Sequence, residues 1–304
     1  MSGDSKNMPV SGPALLIGGL GMLGKAWSKL LEQRGIETTA PPHAELDVTD
    51  PVSIEKAIDA RHPLVINCAA WTDVDGAESD EEAATRLNGN AAGYLADRCA
   101  RTGATFVHYS TDYVFDGHAT WPYKTDCPRN PIGAYGRSKA TGEQLIEQSG
   151  CRFLLIRTSW LYAPWGRNFV RTMTNLMRRR PSVRVVTDQR GRPTSAEHLA
   201  RVSLQLLNHQ ATGTYHVTDG GECTWHAFAA QIAQLIDSEC EVEPCTSAQF
   251  PRPAPRPPYS VLDLTKTEKM IGPMPPWQEN LAVVIGRLES RTDAPIHTDN
   301  HQKR

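Results

Sequence analysis

A chain of 304 residues, 39% hydrophobic and 22% charged, is long enough to bury one large core or two modest ones. Its formal net charge of −2 argues against a nucleic-acid partner, and no apolar run approaches the roughly twenty residues that span a bilayer. Seven scattered cysteines, an odd number with no Cys-x-x-Cys pair, read as reduced thiols and point to the cytoplasm.

In chain order, the polar segment Met1–Pro9 does not read as a secretory signal. Ala14-Leu15-Leu16-Ile17 reads as a buried parallel strand. Gly18, Gly21 and Gly24 follow and open a helix through Trp27, Leu30 and Leu31. Glycines there let the chain turn tightly and let a phosphate approach the backbone, while the helix N-terminus favours negative charge. The spacing Gly-x-x-Gly-x-x-Gly departs from the Gly-x-Gly-x-x-Gly fingerprint, and an ordinary strand-to-helix turn is the plainer alternative. Its place after the first strand favours dinucleotide binding.

A second strand is expected over Ile36–Ala40, followed by Pro41-Pro42-His43 with no carboxylate at its tip. An NAD-selective site places an acidic residue there to bind the ribose 2′-hydroxyl. Its absence favours NADPH, with NADH also accepted, although no arginine follows to grip a 2′-phosphate. Asp50-Pro51 starts a helix, with aspartate as N-cap and proline at the first position, that runs to near Arg61-His62-Pro63. Leu64–Ala70 reads as a strand, Glu81–Arg101 as a long helix and Ala104–Thr111 as another apolar strand ending in hydroxyls. Alone, Ser110-Thr111-Asp112 reads as a capped turn. Beside a dinucleotide loop it reads better as a hydrogen-bonding site for a substrate carbonyl.

Tyr135 and Lys139 lie four residues apart in a helix through Glu143 and Leu145, so both side chains share one face. A phenol with its usual pKa of about 10 is a poor proton donor near neutrality, and an ammonium held beside it lowers that value. Such a pair can move a proton at a carbonyl or alcohol; a solvated helix face is the bland alternative. Phe153–Thr158 is the next strand. Beyond Trp160 the texture turns to proline, basic residues and shorter strands, with Arg178-Arg179-Arg180 as a solvated helix end and Pro251–Pro258 as a proline-rich loop. The alternation predicts an α/β fold, a doubly wound parallel sheet of Rossmann type with a smaller C-terminal substrate-binding region. Residues 8–162 are expected to form the NAD(P)-binding domain. Residues 163–290 are mainly the substrate region, with some elements returning to the sheet, and 291–304 reads as a polar, disordered tail.

Longer stretches carry a family resemblance. They are Asn67-Cys68-Ala69-Ala70-Trp71-Thr72-x-Val74-Asp75-x-Ala77-Glu78, His108-Tyr109-Ser110-Thr111-Asp112-Tyr113-Val114-Phe115 and Tyr135-Gly136-x-x-Lys139-x-x-Gly142-Glu143. Later matches are Arg157-Thr158-Ser159-Trp160-Leu161-Tyr162, Asp188-Gln189-x-Gly191-x-Pro193-Thr194 and Pro255-Arg256-Pro257-x-x-Ser260-x-Leu262. With them the chain resembles the extended short-chain dehydrogenase/reductase superfamily and, within it, the dTDP-4-dehydrorhamnose reductases. The resemblance implies NAD(P)H-dependent reduction of the C4 keto group of dTDP-4-dehydro-6-deoxy-L-mannose to dTDP-L-rhamnose, for polysaccharide synthesis.

Roles follow from the resemblance residue by residue. Tyr135 would protonate the C4 oxygen, Lys139 would bind the nicotinamide ribose and hold down the phenol's pKa, and Thr111 would hydrogen-bond the same oxygen. Asp112 and Trp160 would meet the sugar, with Asn168, Arg256 and Ser260 as further candidates for the sugar nucleotide. The cofactor would lie along Gly18, Gly21, Met22, Leu23 and Gly24, with Asp47 and Val48 at the adenine and Ala70, Trp71 and Thr72 at its middle. A homodimer is left open. Lys25-Ala26-Trp27 lacks the acidic residues with which some relatives hold magnesium, so no metal is expected. Two rival implications are an epimerase or dehydratase of the same superfamily and a non-catalytic subunit resembling the regulatory subunit of methionine adenosyltransferase.

Overall fold

A computed structural model of the chain describes residues 12–292; Met1–Pro9 and most of the expected tail lie outside the described residues. The last helix continues through Thr292, two residues into the segment that the sequence suggested as a tail. Five strands come first: β1 Ala14–Ile17, β2 Thr38–Thr39, β3 Leu64–Asn67, β4 Thr105–Thr111 and β5 Arg152–Thr158. The C-terminal half adds β6 Leu161–Tyr162, β7 Ser182–Val186, β8 Arg190–Gly191, β9 Thr194–Ser195, β10 Gly213–His216, β11 Cys223–Thr224 and β12 Glu241–Cys245. The main sheet has the order β10-β5-β4-β3-β1-β2, with every pairing parallel. Its order reverses between β1 and β3, and ligands of such sheets collect at the strand carboxyl ends beside that point.

Burial on both faces explains the unbroken apolar runs. Ala14 and Leu16 enter one core with Leu23, Trp27 and Leu30 of α1, Met22–Gln33, and with Leu199 of α8, Ala196–Asn208. Leu15 and Ile17 enter the opposite core with Ile54 of α2, Pro51–Ala57, and Leu95 of α5, Ala91–Thr102. Alternate residues of one strand therefore serve different layers, and each fully buried leucine or isoleucine contributes about 1.5–3 kcal/mol. The Trp27 indole donates to the Tyr109 hydroxyl at 2.7 Å, which donates to Ser203 at 2.9 Å, tying α1, β4 and α8 together.

Two elements are shorter than the sequence suggested. β2 has only two residues: the Ile36 N–H closes α1 on the Leu31 carbonyl, and Pro41-Pro42 offer no ladder donors beyond. α2 begins as expected, with the Asp50 carboxylate accepting from the Val52 and Ser53 N–H groups, but stops at Ala57. Ile58 leaves the helix in an extended conformation to fill the core, and Asp59 then captures the Arg61 N–H in a local turn.

The expected long helix is present as α4, Glu81–Thr85, a π-turn over Arg86–Asn90, and α5. Before it lies α3, Val74–Ser79, and after β4 comes α6, Ala134–Gln148. A third core forms around Phe228 and Trp277. It is built from α7, Phe169–Met177, α9, Trp225–Leu235, and α11, Trp277–Thr292, with β7 paired to β12; α10, Thr265–Ile271, lies between α9 and α11 in the chain. All seven cysteines are free thiols, most of them buried. Arg178 caps the C-terminus of α7, where the basic run was expected to end a helix.

Candidate active site

A cleft of about 640 Å³ opens at the carboxyl ends of β1, β3 and β4. One wall is shaped by backbone crowding. Gly18 sits at φ +75°, and a Cβ there would lie 2.7 Å from the Ala69 nitrogen. A Cβ on Gly24 would lie 2.1 Å from the Gly18 carbonyl oxygen, so α1 can press onto the turn only with glycine at that position. Gly21, Met22 and Leu23 line the cleft, with Gly18 and Gly24 forming the turn behind them. Ala70 and Thr72 also line it. Trp71 does not: the Asn88 amide from the π-turn holds its N–H at 2.9 Å and its carbonyl at 3.1 Å. Asp47 and Val48 stand away from the cleft. Thr49 occupies the Asp47 carboxylate, holding it below the usual range, and Val48 is buried in the core.

The facing wall carries Thr111, Asp112, Tyr135 and Lys139. α6 approaches the turn after β4 very closely, since a Cβ on Gly136 would fall 2.2 Å from the Tyr113 carbonyl oxygen. Tyr135, one residue earlier, is thereby brought beside Thr111, whose hydroxyl favours the phenolate. Burial pushes the phenol up to about 12, against the pull of the Thr111 hydroxyl and with the help of the Asp112 charge. Thr111 also donates to Asp112 Oδ1 at 3.0 Å. Burial lifts the Asp112 carboxyl to about 7, while the hydroxyls of Ser260 and Thr111 oppose the rise.

Lys139 departs from the sequence expectation. Its Nζ donates to the Tyr109 carbonyl at 2.6 Å and lies 3.3 Å from His108 Nε2, so in this arrangement it does not draw the phenol's pKa down. Burial lowers Lys139 to about 8, with Glu143 opposing. The Ala69 N–H fixes the Asn67 amide oxygen at 3.0 Å, leaving the Asn67 nitrogen 3.2 Å from His108 Nδ1. His108 Nδ1 must then accept, which turns an Nε2–H toward the lysine, a geometry suited to a neutral amine. Wiring and burial thus agree that this group exchanges its proton close to neutrality.

A second cavity, of about 820 Å³, shares Val74, Tyr113 and Trp225 with the first as walls. Arg180, Arg184, Arg252 and Arg256 line it, together with Phe169 and Phe250. Trp160 lies in the first cleft at φ +47°, its ring stacked 3.6 Å from Trp225. Backbone strain of this kind is held where the surroundings fix it and is common at functional sites.

A family model described as the RmlD substrate binding domain matches residues 13–290. The chain belongs to this family. It is 42% identical over 254 residues, 82% of this chain and 85% of the relative, to a probable dTDP-4,6-dihydroxy-2-methyloxan-3-one 4-ketoreductase of Streptomyces antibioticus. It is 38% identical over 291 residues to a dTDP-4-dehydrorhamnose reductase of Streptomyces griseus, covering 93% of this chain and 96% of that one. A crystal structure of dTDP-4-dehydrorhamnose reductase from Bacillus anthracis in complex with NADP superposes with a TM-score of 0.88. It is 32% identical and covers 91% of this chain and 100% of that one.

Within this RmlD-family chain the remaining sequence candidates divide. Arg256 lines the second cavity, and Ser260 is buried beside Asp112. Asn168 lines neither: it caps α7 by accepting the Arg171 N–H and donates to the carbonyls of Ala163 and Trp165. Sequence reasoning missed Trp225, Arg252 and Asn88. Trp225 opens a helix with no local motif, and Asn88 is revealed only by its bonds to Trp71 and to Ser138 of α6. π-turns frequently mark functional sites, but nothing in Arg86-Leu87-Asn88-Gly89-Asn90 announces one.

Proposed function

We propose that this chain reduces the C4 keto group of dTDP-4-dehydro-6-deoxy-L-mannose with NADPH, giving dTDP-L-rhamnose. The observation that carries the reading is one cleft with a glycine turn and helix N-terminus on one wall and Tyr135, Thr111 and Lys139 on the other. The cofactor fits this cleft because Gly18 and Gly24 let α1 press onto the turn after β1, and because the first N–H groups of α1 open onto the space in front of it. Gly21, Met22, Leu23, Ala70 and Thr72 would hold it, with Lys139 at the ribose. NADPH supplies the hydride when bound.

The Tyr135 hydroxyl donates its proton to the C4 oxygen. Thr111, beside Tyr135, turns its single hydroxyl proton from Asp112 Oδ1 to the same oxygen and orients it. Held on the Tyr109 carbonyl, Lys139 leaves the phenol's pKa untouched; turned from that carbonyl toward Tyr135, its ammonium stabilises the phenolate that remains. Trp160 and Trp225 pack against the sugar, and the arginine-lined cavity takes the nucleotide. We place the enzyme in the cytoplasm; among the described residues no helix is long and apolar enough to cross a membrane.

The test is NADPH oxidation against that keto sugar, with NADH in parallel and the substrate of the Streptomyces antibioticus relative as a second acceptor. NADPH should serve at least as well as NADH: the exposed Ala40, packed beside Gly19, presents no carboxylate to a 2′-phosphate. No turnover with either substrate would overturn the reading. A preference for the second acceptor would move the assignment to that ketoreductase.

A further inference from the structure

The segment Val74-Asp75-Gly76-Ala77-Glu78 forms α3, and the chemistry proposed above uses neither of its carboxylates. The Glu78 side chain braces a helix end, since its Oε1 accepts the Ala134 N–H at 2.7 Å, at the first residue of the helix that carries Tyr135. Asp75 gathers the far end of the chain. Its carboxylate accepts from Arg252 Nε at 3.0 Å and from Arg252 Nη2, from Arg256 Nη2 at 3.0 Å and from the Ala254 N–H at 3.2 Å. Burial raises this carboxyl, but the Ala254 N–H and the two guanidiniums together hold it below the usual range.

The segment so held, Pro251–Pro258, contains five prolines. Proline has a fixed φ and no N–H, so such a strap cannot secure itself through a helix or a ladder and depends on outside anchors. Both of its arginines line the second cavity, where Arg180 and Arg184 join them. Against these four cations, Glu243 is the one carboxylate among the described residues of the cavity wall, and Asp75 stands beside the strap. A surplus of positive charge is therefore concentrated at a cavity that adjoins the reaction cleft. Arg256 Nη1 is buried there without a hydrogen-bond partner, which is unfavourable unless something supplies an acceptor. A diphosphate offers the acceptors and the charge, since a guanidinium fork matches phosphate oxygens.

We propose that Asp75 is a positioning residue for substrate binding: it holds Arg252 and Arg256 side by side so that their free N–H groups grip the diphosphate of the sugar nucleotide. This rests on the reductase reading of the adjoining clefts. Two guanidiniums repel one another, and a single carboxylate between them keeps them paired while leaving charge for the ligand. Because α3 follows directly on the Ala70–Thr72 wall, the strap is also set in register with the cofactor side of the cleft.

The experiment is calorimetric binding of dTDP, of thymidine and of NADPH to the full chain and to Asp75→Asn, with steady-state kinetics on the keto sugar. Asp75→Asn should weaken dTDP by about tenfold or more, the scale of a lost charge-assisted contact, and raise KM in step. Thymidine, NADPH and kcat should stay within about threefold of the parent, because only the phosphate-bearing ligand needs the arginine pair. Arg252→Met, at a side chain half exposed and so tolerant of replacement, should show the same selective loss and carries the test if Asp75→Asn does not fold. Equal losses for dTDP and thymidine, or an unchanged affinity for dTDP, would overturn the role of Asp75 and leave the reductase reading standing. A parent protein that fails to bind dTDP would overturn both.

Discussion

Two regions of the molecule each enclose a buried carboxylate, and the partners around them set opposite behaviours. Under α6, Glu143 receives a two-pronged contact from Arg157, at 2.9 and 2.7 Å, and a further one from Arg129 at 3.1 Å. Burial alone would raise its pKa, but Arg157 above all holds it below the usual carboxylate range. In the C-terminal core, Asp219 is hydrogen-bonded by neutral donors, Tyr162 at 2.9 Å, the Ser195 N–H at 3.1 Å and Asn280 at 2.8 Å, and the Arg201 charge acts on it only weakly, without a hydrogen bond. His198 stands 4.0 Å away, but burial lowers it to about 4, so it adds no cation near neutrality. Burial wins there, and the Asp219 carboxyl rises to about 7. Guanidiniums keep the first acid charged beside the reacting helix; hydroxyl and amide donors leave the second able to take up a proton near neutrality while it pins β6, β9 and α11 together.

If chemistry resides on the α6 side and only scaffold on the other, Tyr135→Phe should cut turnover by roughly two to four decades while NADPH affinity holds. Steady-state rates within a few-fold of the parent would break that division. Arg157→Met leaves Glu143 buried with a single cation, and should lower unfolding free energy by about 3–5 kcal/mol in urea titration. Tyr162→Phe removes one neutral donor from Asp219 and should cost about 1–3 kcal/mol without altering kcat. A loss as large as that of Arg157→Met would show that the two carboxylates are not so different.

The smallest effect is the pH slope, and its sign separates the two regions. Asp219 binds its proton more tightly folded than unfolded, so its contribution is full below 3.8 and is lost as pH rises to about 7. Glu143 is depressed, so its contribution is present above the ordinary carboxylate range and is lost as pH falls. Asp112, also lifted to about 7, shares the direction of Asp219. Urea midpoints taken across this range should therefore decline less steeply toward neutral pH in Asp219→Asn than in the parent. An identical slope would mean that Asp219 is already ionised in the fold.

Much of the sheet was legible because β1, β3, β4 and β5 are buried on both faces and so appear as apolar runs. The glycine turn and the Tyr135–Lys139 pair were legible because their geometry is local, written within one turn of backbone. What lay hidden depends on distant partners. Nothing near Asp75 reveals that its cations lie 177 and 181 positions away, and nothing near Lys139 reveals that it turns to Tyr109 and His108. Asp47 and Asn168 failed to reach the clefts for the complementary reason: each finds satisfying local donors or acceptors within a few residues. The early end of α2 was decided by the demand of the core for Ile58, which no helix propensity reports.

The return of α8 onto α1 and of β10 onto β5 has an evolutionary consequence. Exchange of sugar specificity by swapping a C-terminal cassette after Tyr162 would strip β5 of its neighbour and bare the apolar flank of α1. The severed piece would present an unpaired sheet edge, a template for aggregation. New specificities in such a chain are therefore reached by substitution within the loops around the clefts, because the thread of the polypeptide passes twice through the same body and cannot be cut into interchangeable parts.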